Sequence, residues 1–153
     1  MAPIYTNIEI FENLLNDLVS PIENIDFSKL ITIDATGFIL GGALALKLKK
    51  GLILARKEGK IPLDDNRIIK RHFTDYSGNE KILEIDKTLI EKNEKYVIID
   101  DWVETGSQVK ATISMIEELG GIIVGILSIG SDKNENTQIL FEKYNLHSIG
   151  INV

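Results

Sequence analysis

Short β-branched apolar runs alternate with stretches of helical periodicity along most of this chain, and that alternation leaves few topologies open. Leu30–Asp34 leads into the Ala- and Leu-rich stretch Phe38–Leu48 and then into Gly51–Ala55. Further on, Tyr96–Asp100, Ser107–Leu119, Ile122–Ile129, Thr137–Tyr144 and His147–Val153 read as strand, helix, strand, helix and strand. Two strands separated by a helix pair in parallel through a right-handed crossover. The pattern predicts an α/β fold, a mostly parallel twisted sheet with helices on both faces. Ahead of it, Ile8, Phe11, Leu14, Leu15, Leu18 and Val19 recur at three- and four-residue steps, an amphipathic helix that Pro21 ends. The middle departs from the alternation. Arg56 to Asp65 is charged, and Ile68–Ile69 and Ile82–Ile85 flank a polar centre with Asp75, Ser77, Gly78 and Asn79, expected to be two antiparallel strands with a mobile connection. No repeat or linker divides residues 1–153, which are expected to form one domain.

A chain of 153 residues with 44% hydrophobic content can close a core without staples. The absence of cysteine excludes a disulfide scaffold, thiolate metal sites and a cysteine nucleophile, and it suits a reducing cytoplasm. With a formal charge of -6 and no basic run longer than Lys49–Lys50, broad nucleic-acid binding is disfavoured. The opening Met1–Tyr5, soon followed by Glu9, Glu12 and Asp17, lacks the cationic start and apolar stretch of a secretory leader. The longest apolar run, near Gly37–Leu46, is about half of the roughly 20 residues that span a bilayer. A cytoplasmic protein without a membrane segment is expected.

In open parallel sheets ligands bind beyond the carboxyl ends of the strands, which directs attention to Asp34–Gly37, Arg56–Pro62 and Asp100–Gln108. The last is the most informative. A buried strand delivers Asp100 and Asp101, and a short turn with Thr105 and Gly106 then opens a helix. A helix N-terminus offers unpaired N–H groups and partial positive charge, and glycine lets backbone approach an anion, so the turn suits a phosphate. The two acids can accept hydrogen bonds from vicinal hydroxyls or hold hydrated Mg²⁺. Acids beside an anion cradle point to a sugar phosphate.

These residues resemble the fingerprint of the type I phosphoribosyltransferases: a hydrophobic strand, two acids, two or three mixed residues, then Thr-Gly followed by small or polar residues. Within that family the chain is most similar to the adenine-specific branch. Asp34-Ala35-Thr36-Gly37-Phe38 is similar to its Asp-Ser-Arg-Gly-Phe segment, and Arg56-Lys57-Glu58-Gly59-Lys60-Ile61-Pro62 to its Arg-Lys-x-Gly-Lys-Leu-Pro segment. The resemblance implies an Mg²⁺-dependent transfer from phosphoribosyl pyrophosphate to a purine base, adenine first, in a homodimer. It implies that Asp100 and Asp101 bind the ribose hydroxyls and carry Mg²⁺, directly or through water and substrate, while Glu104, Thr105, Gly106, Ser107 and Gln108 cradle the 5′-phosphate. Ala35 and Thr36 would present backbone to the pyrophosphate, and Arg56, Lys57 and Lys60 would neutralise it as it departs. Glu104 could exchange a proton with the base, and Asp75 corresponds, across a one-residue gap, to an acid of the mobile loop.

The chain also departs from the adenine pattern. Thr36 stands where that branch has Arg, Glu104 replaces a small residue, and the N-terminal hood is reduced, with only about thirty residues before the first core strand. A 6-oxopurine substrate, or a regulatory protein that binds phosphoribosyl pyrophosphate or a nucleotide with little or no turnover, is the alternative. A receiver-type phosphoacceptor domain explains neither Thr105–Gly106 nor the basic loop. Trp102, Lys70, Arg71, His72 and His147 each have an ordinary packing or surface explanation, and Gly41–Gly42 is expected to permit close helix packing. Gly106→Val is expected to block the phosphate.

Overall fold

The computed structural model describes residues 2–152. Two helices open the chain, α1 (Ala2–Thr6) and α2 (Ile8–Val19), and between them the Asn7 side chain accepts the N–H groups of Glu9 and Ile10 at 3.0 and 3.2 Å. This satisfies two of the donors that a helix start leaves unpaired. The chain continues through β1 (Lys29–Ile33), α3 (Gly37–Leu48), β2 (Gly51–Lys57), β3 (Ile68–Thr74), β4 (Glu80–Asp86), β5 (Lys95–Val103), α4 (Ser107–Glu118), β6 (Ile122–Asp132), α5 (Gln138–Tyr144) and β7 (Leu146–Asn152). Among the described residues no helix is long and apolar enough to cross a membrane.

The seven strands form one sheet in the order β3-β4-β2-β1-β5-β6-β7. From β2 to β7 neighbours run parallel, whereas β4 is antiparallel to both β2 and β3. The chain moves from β1 outward to β2 in one direction and from β5 through β6 to β7 in the other. The carboxyl ends of β1 and β5 therefore flank the point where strand order reverses, the place where a crevice opens in such sheets.

Strands buried on both faces feed two cores. Tyr96 and Ile98 of β5 join Ile31, Ile33, Ile113 and Ile116 on the α4 side, while Val97 and Ile99 join Leu30, Leu40, Leu44 and Leu18 on the side of α2 and α3. The alternation follows from the two-residue period of a strand. Burial of a side chain such as Ile98, which has no exposed surface, contributes roughly 1.5–3 kcal/mol. Helix α3 lies close on β1 because of Gly41, where an added Cβ would meet Thr32 Cβ at 2.7 Å; Gly42, with nothing within 4 Å, has no such role.

Several boundaries differ from expectation. The polar centre between residues 68 and 85 is mostly strand: β3 and β4 pair from Ile68↔Asp86 to Thr74↔Glu80, and a five-residue turn connects them. The Asp75 carboxylate closes that turn by accepting the N–H groups of Ser77 and Asn79, each at 2.9 Å. Strand β5 runs on through Val103, because Asp100, Trp102 and Val103 keep pairing with Ser128, Gly130 and Ser131 of β6. Helix α1 has no counterpart in the periodicity, and the last strand starts at Leu146, with Val153 outside the described residues.

Candidate functional site

A cavity of about 190 Å³ opens at the end of β5, lined by Asp100, Trp102 and the turn from Glu104 to Gln108, with Asp75 and Tyr76 reaching in from the β3–β4 turn. Asp100 is 6% exposed, and its Oδ1 accepts the N–H of Asp101 at 3.0 Å. The first turn of α3 stands over it, since a Cβ added at Gly37 would lie 3.4 Å from Asp100 Oδ1. Burial, reinforced by the neighbouring Asp101 charge, pushes the Asp100 carboxyl well above the usual carboxylate range. Asp101 is half-buried and does not line the cavity. On its side stands Tyr5, whose phenol is raised first by burial and then by the Asp101 charge. The Tyr5 Oη is buried without a hydrogen-bond partner among the described residues.

The turn after β5 is built as a donor surface. Gly106 precedes α4 with φ of +71° and, as the N-cap residue, offers no side chain to cap it. The Ser107 N–H donates to Thr105 Oγ1 at 3.3 Å and the Lys110 N–H to the Gly106 carbonyl at 2.8 Å, which leaves the Gln108 and Val109 N–H groups at the helix start without an acceptor among the described residues. From behind, the Asn134 amide donates to the Glu104 carbonyl at 3.0 Å, and an added Cβ at Gly106 would meet Leu140 Cδ1 of α5 at 2.7 Å. A side chain at position 106 thus collides with α5. The expectation that valine there blocks the phosphate is corrected: the glycine is required by its positive φ and by α5 behind it.

The other expected residues lie on neighbouring strand ends, outside the lining of this cavity. Asp34–Ala35 is a cis peptide, Ala35 is exposed, and Thr36 precedes α3 as its N-cap residue without its side chain accepting a capping hydrogen bond. The Asp34 carboxylate sits 3.6 Å from Arg56 Nε and accepts the Lys57 N–H at 3.5 Å. Arg56 also donates to the Lys60 carbonyl at 3.0 Å and lies over the Phe38 ring at 5.7 Å. The Lys57 and Lys60 side chains are exposed. Asp75 does reach the cavity, as an acid whose carboxyl the Asn79 backbone N–H chiefly holds below its usual range. Trp102 lies across Gly130, with ring atoms only 2.1 to 2.7 Å from where a Cβ would be, and presents its outer side to the cavity. His72 and His147 are exposed, and Arg71 pairs with Glu118.

Among the described residues no group of three or more His, Cys, Asp or Glu is placed to hold a metal ion. Two strand-end carboxylates fit Mg²⁺ only where substrate oxygens and water complete its six positions, which is the ordinary way this cation meets a phosphate site.

The model of the phosphoribosyl transferase domain matches residues 5–149. The chain belongs to the phosphoribosyl transferase family. It is 34% identical to an adenine phosphoribosyltransferase of Thermosipho melanesiensis over 97% of this chain and 83% of the relative. It is 35% identical to the adenine phosphoribosyltransferase of Thermosipho africanus over 82% and 72%. The crystal structure of adenine phosphoribosyltransferase from Thermoanaerobacter pseudethanolicus superposes with a TM-score of 0.89 at 25% identity, covering 98% of this chain and 85% of that one. The Giardia lamblia enzyme complexed with 9-deazaadenine shares the fold at a TM-score of 0.89 and 22% identity, over 99% and 84%. As a member of this family the chain is a phosphoribosyltransferase.

Three contributors to this phosphoribosyltransferase site escaped the sequence. Tyr76 follows an acid that was singled out, and the hairpin register alone brings it to the cavity. Asn134 and Tyr5 come from distant segments, and neither carries a local motif.

Proposed function

We propose that the protein transfers the phosphoribosyl group of phosphoribosyl pyrophosphate to adenine, releasing adenosine monophosphate and pyrophosphate. The observation that carries this reading is the acid pair Asp100–Asp101 at the end of β5, immediately before a glycine turn and a helix start with free N–H donors that share a cavity with Asp100. The named activity of its relatives supports adenine as the base.

In the reaction the N9 lone pair of adenine forms a bond to ribose C1′ while the bond from C1′ to the pyrophosphate oxygen breaks. The electron pair leaves with pyrophosphate, and the N9 proton is lost. Asp100 and Asp101 accept hydrogen bonds from the ribose hydroxyls, and the backbone of Thr105 to Gln108 holds the 5′-phosphate against the positive end of α4. Lys57 and Lys60 supply positive charge as it grows on the leaving group, and the Ala35–Thr36 turn presents backbone to it. Glu104, exposed at the cavity rim, or Asp75, which lines the same cavity, takes the N9 proton as a carboxylate base. Asp100 and Asp101 are the residues that would hold Mg²⁺, which when bound supplies charge neutralisation for the pyrophosphate. A homodimer in the cytoplasm belongs to the same proposal.

The test is pyrophosphate release from phosphoribosyl pyrophosphate and Mg²⁺ with adenine, hypoxanthine, guanine, xanthine or uracil, using the protein carrying Asp100→Asn and Asp101→Asn as control. Release with adenine alone, absent from the control, is expected. Release with a 6-oxopurine alone would reassign the base and put Glu104 beside it. Binding of phosphoribosyl pyrophosphate without release by any base would identify a binding protein.

A further inference from the structure

The geometry points to Glu84 as a positioning residue that, through Lys70, holds the basic loop and the Asp75 turn as one rigid body; this rests on the reading of the site given above. Glu84 lies on β4 between Leu83 and Ile85, both fully buried, yet it is itself only 1% exposed on the opposite face. It is paired across the sheet with Arg56 of β2 on one side and Lys70 of β3 on the other. The loop between β2 and β3 covers that face, and the Gly59 N–H donates to Glu84 Oε2 at 3.0 Å. Lys70 Nζ approaches Glu84 Oε1 at 3.2 Å, Asp65 Oδ1 at 3.4 Å and Glu58 Oε1 at 3.6 Å.

A carboxylate withdrawn from water is penalised unless its bonds are satisfied, and an apolar side chain of similar size would fill the space as well or better. What the apolar side chain cannot do is grip Gly59. That glycine lies between Lys57 and Lys60, and Arg56 binds the Lys60 carbonyl from the same face. Lys70 meanwhile ties both ends of the loop, through Glu58 and Asp65, to the strand that enters the Asp75–Asn79 turn. The loop that bears the exposed cations and the turn that reaches the phosphate cavity are therefore joined at one buried charge. The consequence falls on recognition of the pyrophosphate end of the donor rather than on the base.

The experiment measures KM for phosphoribosyl pyrophosphate and for adenine separately in the wild type, Glu84→Ala, Glu84→Gln and the more exposed Lys70→Ala, together with hydrogen exchange at the Gly59 amide. Loss of a charged hydrogen bond corresponds to about tenfold, so Glu84→Ala and Lys70→Ala are expected to raise the donor KM by about tenfold. The adenine KM stays within about twofold on this scale. Glu84→Gln, whose amide oxygen can still accept the Gly59 N–H, recovers part of the loss and most of the exchange protection. An unchanged donor KM in Lys70→Ala, or equal rises in both KM values with a lowered melting temperature, would overturn the inference alone. If the wild type neither binds the donor nor releases pyrophosphate, the functional reading fails and takes the inference with it.

Discussion

Asp100 is a carboxyl group whose surroundings favour its neutral form, and that has a consequence for stability in the ligand-free protein. For an acid whose folded-state pKa is raised, the favourable contribution is full below the ordinary carboxylate value near 4 and is lost as pH rises through the folded value. Asp100→Asn removes the titrating group while keeping its shape. In chelator-treated protein the variant is expected to match the wild type at pH 4 and to exceed it in urea resistance at pH 8. Equal differences at both pH values would show that Asp100 ionises freely. At Gly106 the expectation is a loss: alanine there strains a positive φ and presses on Leu140, and unfolding by urea should show about 1–3 kcal/mol of destabilisation.

At the level of elements, the turn between β5 and α4 is held from outside its own sequence. Asn134, in the loop between β6 and α5, bonds to a carbonyl thirty residues away, and its Oδ1 also accepts the Asn136 and Thr137 N–H groups. Asn134→Ala is expected to cost about 1 kcal/mol in stability, and in a binding titration to weaken phosphoribosyl pyrophosphate more than adenine. The same contrast explains what could be read beforehand. Asp100-Asp101 and Thr105-Gly106-Ser107 were legible because a strand end and a helix start are local events. Asn134 and Tyr5 were not, because only the folded chain brings them near. Glu84, set between Leu83 and Ile85, carries no local signal of burial, because the loop that covers it comes from residues 58–67. Lys70 and His72 concealed the length of β3, since one face of that hairpin strand is polar. Arg56 was legible as a cation but not as the partner of Asp34.

Across the whole molecule, the two apolar cores lie on opposite faces of the same central strands, so neither can be lost without exposing the back of the other. Ile98→Ala on one face and Leu44→Ala on the other are each expected to lower stability by about 2–5 kcal/mol. Circular dichroism at far- and near-ultraviolet wavelengths should follow one transition in both variants, and separated transitions would mean that the faces melt independently. The parallel sheet and its helical layers followed from the alternation of periodicities, whereas the strand order is set by which crossovers the folded chain makes. The antiparallel extension β4–β3 followed only in outline, because its pairing depends on a turn whose closure resides in the Asp75 side chain.

Trp102 is the chain's only tryptophan, 41% exposed and seated on the wall of the cavity at the end of β5. Its indole emission therefore reports from one known place, without labels and without interference from any other indole. Arrival of a ligand beside it can be followed as a change in fluorescence on the millisecond scale, with Trp102→Phe as the dark reference, so the molecule carries its own optical gauge of occupancy.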